Sequence, residues 1–532
     1  VTEDQLITEE AEETTLNHNP SISVKSALRK ITFQVKFHTI PGQSLYVTGN
    51  HPLLGDNKVG NSFPLSYLND DYWFGTLEIP SDQDLSEDIS YNYILVDNDG
   101  TITAEWGDKV IRPLAHKTKE VLLVDTWNAS WCIENTFYTE PFQEVLLKGN
   151  FTEVEIKPSK KVTHVFQVKT PLLAKGQTLC ITGSVTELGE WDTENPILLS
   201  RVDDVWYKVE IDLSNSTFPF TYKYGIFDIN TNKFIRYEDG KNRVLYDSAS
   251  PDKLTTVSDG FANLPYNAFK GAGVAIPVFS LRSERSFGVG EFTDLKLLVD
   301  WAKGVGLKLI QLLPVNDTTA THTYTDSYPY AAISAFALHP LYLHLPTIVN
   351  KENQSLLNSL VEKQAELNNK ADVDYVEVMA TKWDLIKQIF HSQKQLTFHS
   401  LDFKKFFTEN AHWLIPYAAF SYLREKYKTS DFNQWPTNQT FDAEEIKSIA
   451  SSPLDDQDEV SMYYYVQYHL HLQLKDAANY AHENGIILKG DIPIGVYRNS
   501  CDAWQEPHLF NMDMQAGAPP DDFAVKGQNW GF

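Results

Sequence analysis

Gly485-Ile486-Ile487-Leu488-Lys489-Gly490-Asp491-Ile492-Pro493-Ile494 decides the fold of the second half of the chain. A helical pattern through 472–482 runs into Gly485 and stops. Glycine past a helix end takes the left-handed turn that closes the helix. Ile486-Ile487-Leu488 is apolar on both faces, as a strand buried on both faces must be, and a carboxylate, Asp491, stands at its end. Helix, glycine stop, buried strand and polar strand end make up the unit of a parallel α/β fold. The same grammar occurs upstream. Leu297-Leu298-Val299-Asp300-Trp301-Ala302 reads as a helix ending at Gly304 or Gly306, and Leu307-Lys308-Leu309-Ile310-Gln311-Leu312-Leu313-Pro314 follows as a strand. Strands are therefore expected near 273–279, 307–314 and 486–491, the first three of a (β/α)8 barrel. Residues of about 350–470 form a charged helical insertion on the strand-end face, where such barrels carry their sites.

Before residue 265 the pattern is different. Ile31-Thr32-Phe33-Gln34-Val35-Lys36-Phe37 alternates apolar and polar, and Gly, Asn and Asp punctuate the strands. The stretch is a tandem repeat. Val47-Thr48-Gly49-Asn50…Leu54-Gly55-Asp56 returns as Ile181-Thr182-Gly183-Ser184…Leu188-Gly189-Glu190. Trp73 returns as Trp206, Tyr91-Asn92-Tyr93 as Tyr222-Lys223-Tyr224, and Trp106…Arg112 as Tyr237…Arg243. Many short strands per repeat suit a β-sandwich. The expected architecture is multidomain: two all-β sandwich modules at 28–135 and 158–256, then the N-terminal part of an α/β (β/α)8 barrel at 265–532. Residues 1–27, acidic, polar and Thr-rich, are expected to be a disordered or leader segment.

A net charge of −26 repels nucleic acid, so no nucleic-acid partner is expected. Aromatics make up 13% of the chain, and sugars stack on aromatic faces. Cys132, Cys180 and Cys501 form neither a disulfide framework nor a metal-ligand spacing, which suggests a reducing, cytoplasmic compartment and no metal or other cofactor. No apolar run is long enough for a membrane span, so no membrane partner is expected.

On these landmarks the two repeats resemble the family 20 carbohydrate-binding modules, which hold α-1,4-glucans such as starch or glycogen. That resemblance implies two rings stacking on glucose faces and a lysine donating to hydroxyls. In the second repeat the matching residues are Trp191, Lys223 and Tyr237; the first keeps Trp106 but has Asn57 and Asn92 at the other two positions. Residues 270–532 resemble the N-terminal part of amylomaltases, the 4-α-glucanotransferases of glycoside hydrolase family 77. The match lies in Arg285-Ser286-Phe287-Gly288-Val289-Gly290-Glu291-Phe292, Ser327-Tyr328-Pro329-Tyr330, Gly490-Asp491-Ile492-Pro493-Ile494 and Gly517-Ala518-Pro519-Pro520-Asp521-Asp522-Phe523…Gly527-Gln528-Asn529-Trp530-Gly531. Two starch modules ahead of such a domain resemble the disproportionating type of that family, which takes maltose or malto-oligosaccharides as donor.

Retaining transfer uses two carboxyl groups about 5–5.5 Å apart, one attacking and one acting as acid/base. The family's nucleophile stands in Arg-x-Asp-His, a motif missing from these residues; it and the acid/base Glu are expected beyond residue 532, so no catalytic residue is assigned and the chain reads as a fragment lacking activity by itself. The resemblance implies sugar-binding roles for Asp491, Tyr330, Asp521, Phe523, Gln528 and Trp530, with Asp491 a hydrogen-bonding and electrostatic partner. Asp522 stands where the family often has an aromatic, and His339 reads as structural. A non-catalytic starch- or glycogen-binding protein on a glucanotransferase scaffold is the alternative reading. A hydrolase of the α-amylase type is disfavoured by the loop from Pro519 to Trp530.

Overall fold

Phe33 and Phe166 are both fully buried, yet they point to opposite faces of one sheet. Successive strand residues face opposite ways, so the register settles this. Phe166 pairs with Val257 and Val257 with Val124, whereas Phe33 pairs with Leu123, the neighbour of Val124. The link is a parallel ladder between Glu120–Thr126 and Lys253–Phe261, strands from different repeats. It fuses both repeats into an eight-stranded sheet in the order 200–201, 207–211, 164–169, 253–261, 120–126, 28–36, 72–80, 66–69. The modules expected at 28–135 and 158–256 thus share a sheet. One face carries the first module's core with Ile31, Phe33, Val121 and Leu123; the other carries the second's, with Phe166, Val168, Val209 and Val257, joined by Val124. Each fully buried side chain of this size contributes roughly 1.5–3 kcal/mol.

Each module closes its sandwich with a second sheet, containing Ser44–Gly49 and Ile89–Val96 in the first and Gln177–Gly183 and Phe220–Asp228 in the second. The Tyr-x-Tyr landmarks have a physical cause. Tyr91 and Tyr93 hydroxyls donate to Asp125 Oδ2 at 2.8 and 2.7 Å, and Tyr222 and Tyr224 donate to Asp259 Oδ2 at 2.8 and 2.9 Å. Burial raises all four tyrosines far above their ordinary range, with the aspartates adding to it, so they stay neutral donors.

The computed structural model describes residues 28–80, 87–113, 118–149, 151–156, 159–265, 267–450, 458–493 and 495–531. The segment 1–27 lies outside them. The chain divides into two units, residues 1–138 with 150–268, and 139–149 with 269–532. The stretch 139–149, between the modules in sequence, belongs to the second unit, where Phe142 meets Phe269 at 5.2 Å.

The second unit holds the three expected parallel strands, shorter than expected: Gly273–Ala275, Leu309–Gln311 and Ile487–Lys489, with Val274, Ile310 and Leu488 in register. Its helices are α1 Asp294–Gly304, α2 Gln354–Asn358, α3 Val361–Asn369, α4 Tyr375–His399, α5 Leu401–Tyr427, α6 Ala443–Ala450, α7 Asp458–Glu483 and α8 Cys501–Gln505. Helix α7 stops as the sequence requires, with Gly485 at φ +72°. Helices α2 to α6 are the insertion, and α4 clamps it to the segments that carry Glu291, Leu341 and Leu343. Lys382 Nζ donates to Glu291 Oε1 at 2.5 Å, Leu341 O at 2.5 Å and Leu343 O at 2.9 Å, so every ammonium proton is used. Burial pushes the Glu291 carboxyl above the usual carboxylate range; Lys382 opposes it.

Val124→Asp is expected to cost about 2–4 kcal/mol by burying an unpaired charge. Hydrogen exchange should show strands of both modules losing protection together; loss confined to one module would refute the shared sheet. His164, buried and stacked at 5.6 Å on Phe218, is pushed down to about 4 by burial. The unfolded chain, with histidine near 6.5, binds the proton more tightly. Stability conferred by His164 is therefore present above pH 6.5 and lost as pH falls towards 4, by up to about 1.4 kcal/mol per pH unit. Denaturant titrations of His164→Leu should show a shallower slope across that window.

Candidate functional site

In the second module the turn after Gln177–Gly183 carries left-handed backbone at Gly189 (φ 75°), Glu190 (φ 47°) and Trp191 (φ 68°). A bulky aromatic rarely adopts that conformation, whose cost is about 1–3 kcal/mol. The turn presents a half-buried Trp191 with its ring 6.2 Å from Tyr237 at 79°. The Thr182 hydroxyl donates to Tyr237 Oη at 3.2 Å. Thr182 pairs across the sheet with Lys223, whose Nζ donates to Gly240 O at 2.7 Å. Trp191, Lys223 and Tyr237 therefore gather at the outer face of one sheet.

The first module repeats the turn, with Gly55 at φ 87°, Asp56 at 51° and Asn57 at 61°. Asn57 is thus the counterpart of Trp191, and asparagine tolerates that backbone well. The second expected equivalence is corrected. Glu105 and Glu238 do the same work: Oε1 accepts Tyr93 N at 3.2 Å in one module and Tyr224 N at 3.1 Å in the other. Oε2 likewise accepts Asn128 N and Asn263 N, both at 3.1 Å. This places Trp106 opposite Asp239, Ala104 opposite Tyr237, and Lys109, not Arg112, opposite Arg243; both cations pair with the buried glutamate. The matching aromatic-to-arginine spacing misled because the fold is registered on the buried acid. Asn92 donates to Gly107 O at 3.2 Å and Asp108 Oδ1 at 3.0 Å, bracing the loop that Lys223 braces in the second module.

In the second unit Tyr330 follows the strand Leu309–Gln311 and Asp491 follows its neighbour Ile487–Lys489. Tyr330 stands far along the loop that follows its strand, and its Oη donates to Asp491 Oδ2 at 2.9 Å. That bond is the chief cause of Tyr330's raised pKa. The loop bearing Tyr330 is strapped to the insertion. Asp317 Oδ2 accepts from Tyr417 Oη at 2.6 Å, buried Arg424 donates to Thr319 O, and His322 Nε2 meets Glu425 Oε1 at 2.5 Å. Burial opposes ionisation of Glu425, but His322 and Arg424 outweigh it and bring the carboxyl down to about 2. Asp326 accepts from the backbone of Thr321 and His322. Sequence reasoning missed this network, because its partners lie about a hundred positions away; the local signal was the polar turn chemistry of Asp317-Thr318-Thr319. His339 is structural, its Nδ1 accepting from Leu341 N at 3.1 Å.

Asp521, Phe523, Gln528 and Trp530 sit on a separate hairpin between Gly517–Ala518 and Gln528–Asn529. Asp521 accepts from Phe523 N at 2.9 Å and Ala524 N at 2.5 Å, and Trp530 Nε1 donates to Gln528 Oε1 at 2.8 Å. Phe523 is 98% exposed. The candidates therefore form two groups, the Tyr330–Asp491 pair and the hairpin. Among the described residues, no group of His, Cys, Asp and Glu could hold a metal ion.

Fold and site define a class: paired β-sandwiches with an outward aromatic couple, followed in the chain by a parallel α/β sheet with a Tyr–Asp pair on the loops after its strands. Residues 276–532 match the 4-alpha-glucanotransferase family, glycoside hydrolase family 77, and residues 29–121 and 161–257 match the family 20 starch binding domain. It is 38% identical over 534 residues to 4-alpha-glucanotransferase DPE2 of Oryza sativa subsp. japonica, which covers 96% of this chain and 55% of that protein. It is 34% identical over 259 residues to the 4-alpha-glucanotransferase of Chlamydia caviae, covering 48% of this chain and 47% of that one. Among solved structures, the amylomaltase from Streptococcus agalactiae in complex with acarbose aligns with a TM-score of 0.40 at 22% identity, over 49% of this chain and 52% of that one. The chain spans about half the length of the curated relatives it matches.

Trp191→Asn puts into the second module the residue that the first uses on the same backbone. The lost ring pair is worth about 0.5–1.5 kcal/mol, and relief of the left-handed tryptophan offsets it. Thermal unfolding should move by no more than about 1 kcal/mol, against the 3–5 kcal/mol of a core tryptophan. A larger loss would make Trp191 a packing residue.

Proposed function

We propose that the chain serves the transfer of glucosyl units from maltose or malto-oligosaccharides to an α-glucan, with glycogen, starch or a similar heteroglycan as acceptor. The observation that carries this reading is the Tyr330–Asp491 hydrogen bond at 2.9 Å, which joins two of the motifs quoted above, one on the loop after Leu309–Gln311 and one after the neighbouring strand Ile487–Lys489. The family match over 276–532 and the starch-domain matches support it. The first unit holds the polymer. Trp191 and Tyr237 offer rings to glucose faces and exclude water, while Lys223 is held by its bond to Gly240 O. The second unit receives the donor. Asp491 keeps its Oδ1 for sugar hydroxyls while Tyr330 holds Oδ2, and the fixed carboxylate adds negative potential where an oxocarbenium-like centre develops. Its role is to hydrogen-bond and to stabilise charge, not to attack the anomeric carbon. Transfer in place of hydrolysis needs an acceptor site that binds sugar and excludes water; the hairpin with Phe523 and Trp530 is the candidate wall for it. The thiols Cys180 and Cys501, buried and free, fit a reducing compartment such as the cytoplasm.

Asp491→Asn keeps the shape and removes the charge. In the protein that carries this chain, kcat/KM for transfer from maltose to glycogen is expected to fall about a hundredfold, the scale of one lost preorganised electrostatic contact. Glycogen retardation in native gels should be unaffected by that change and lost in Trp191→Ala. Near-full activity of the Asn form would reduce Asp491 to a turn residue.

A further inference from the structure

The insertion contains a hollow of about 330 Å³ between α4, α5 and α7, walled by Lys387, Tyr422, Lys426, Lys428 and Met462. Its size is at the lower end of small-molecule sites, about 300–1,000 Å³. On α4 itself, Lys382 pairs with Glu291 and Lys394 with Asp458. Lys387, Lys426 and Lys428 have no ion-pair partner among the described residues, although acidic side chains outnumber basic ones 71 to 45. Two of the three lie at the C-terminal end of α5, where a helix dipole favours cations. That does not account for Lys387, in the middle of α4, converging on the same hollow.

Two carboxylates also line it. Glu425 is already engaged by Arg424 at 3.0 Å and His322 at 2.5 Å, which leaves Glu459 as the lone uncompensated acid against three ammonium groups. We infer that this hollow binds a small phosphate ester, its phosphate held by Lys387, Lys426 and Lys428 and its sugar-sized remainder against Tyr422 and Met462. Lysine is a point-charge donor suited to phosphate. Glu425 gives the site a line to the donor pair. It forms part of the pocket wall and also straps His322, in the loop that ends at Tyr330. An occupied pocket therefore bears on the loop that presents Tyr330 to Asp491.

Calorimetric titration of the 532-residue chain with glucose 1-phosphate, inorganic phosphate and glucose tests this. Saturable binding of glucose 1-phosphate is expected, weakened by salt, at least tenfold weaker in Lys387→Gln/Lys426→Gln and unchanged in Trp191→Ala. Tighter binding of the sugar phosphate than of inorganic phosphate supports an ester ligand; equal affinity assigns the site to phosphate itself. Lys428→Asn, tolerated on left-handed backbone at φ 58°, gives a variant whose fold is secure. No saturable binding by the parent chain, or equal binding by the folded variants, would overturn the inference. Hydrogen exchange in 317–330 should slow on binding in the parent chain and not in His322→Ala; an unresponsive loop with an occupied pocket would refute the coupling.

Discussion

A strand shows alternate residues to opposite faces, and in the first unit both faces of one sheet are buried. Everything in that unit follows from the ladder between Glu120–Thr126 and Lys253–Phe261. Once Val121 and Leu123 face one core, Val124 must face the other, and the two sandwiches have to lie on opposite sides of the sheet. A slip of one residue would turn both hydrophobic sets to the wrong side at once. The first module thus has a reason to exist that is independent of sugar. Even with Asn57, Asn92 and Ala104 at its would-be site, it supplies the strand that borders the second module's core.

The second unit solves a different problem. Three short strands give little area on which to fix a long loop, so the loop between Leu309–Gln311 and Tyr330 is held by polar bonds to the insertion, two of them buried. Asp317 to Tyr417, Thr319 to Arg424 and His322 to Glu425 all run to α5. Buried polar groups that are fully bonded fix one geometry, because breaking any member leaves a costly orphan. The helices are in this sense part of the site, although none of them supplies Tyr330 or Asp491.

How much of this could be read from the sequence depends on the range of the signal. Gly485 and the apolar run after it announced a helix end and a buried strand, and the structure has both, because each is a local matter of backbone freedom and burial. The repeat was legible for the same reason, since Leu54-Gly55-Asp56-Asn57 and Leu188-Gly189-Glu190-Trp191 share a turn. The alignment failed where spacing stood in for hydrogen bonding. Trp106 lies the same number of residues before Arg112 as Tyr237 does before Arg243, yet Glu105 and Glu238 set the true register. Fusion of the modules, the Lys382 clamp and the straps on the Tyr330 loop all join residues far apart in the chain, and single-sequence periodicity carries no trace of such pairings.

The left-handed turn before Trp191 works as a socket. Its path is fixed by glycine and by a bond to the backbone behind it, Glu190 N to Val185 O in one module and Asp56 N to His51 O in the other. The side chain plugged into it is not what holds the turn, since the first copy keeps the same path with an asparagine. What the position presents to solvent and the integrity of the domain are therefore separable. A substitution there changes the outer face of the module without changing the path of the turn, so a duplicated module can vary that face while it continues to fold.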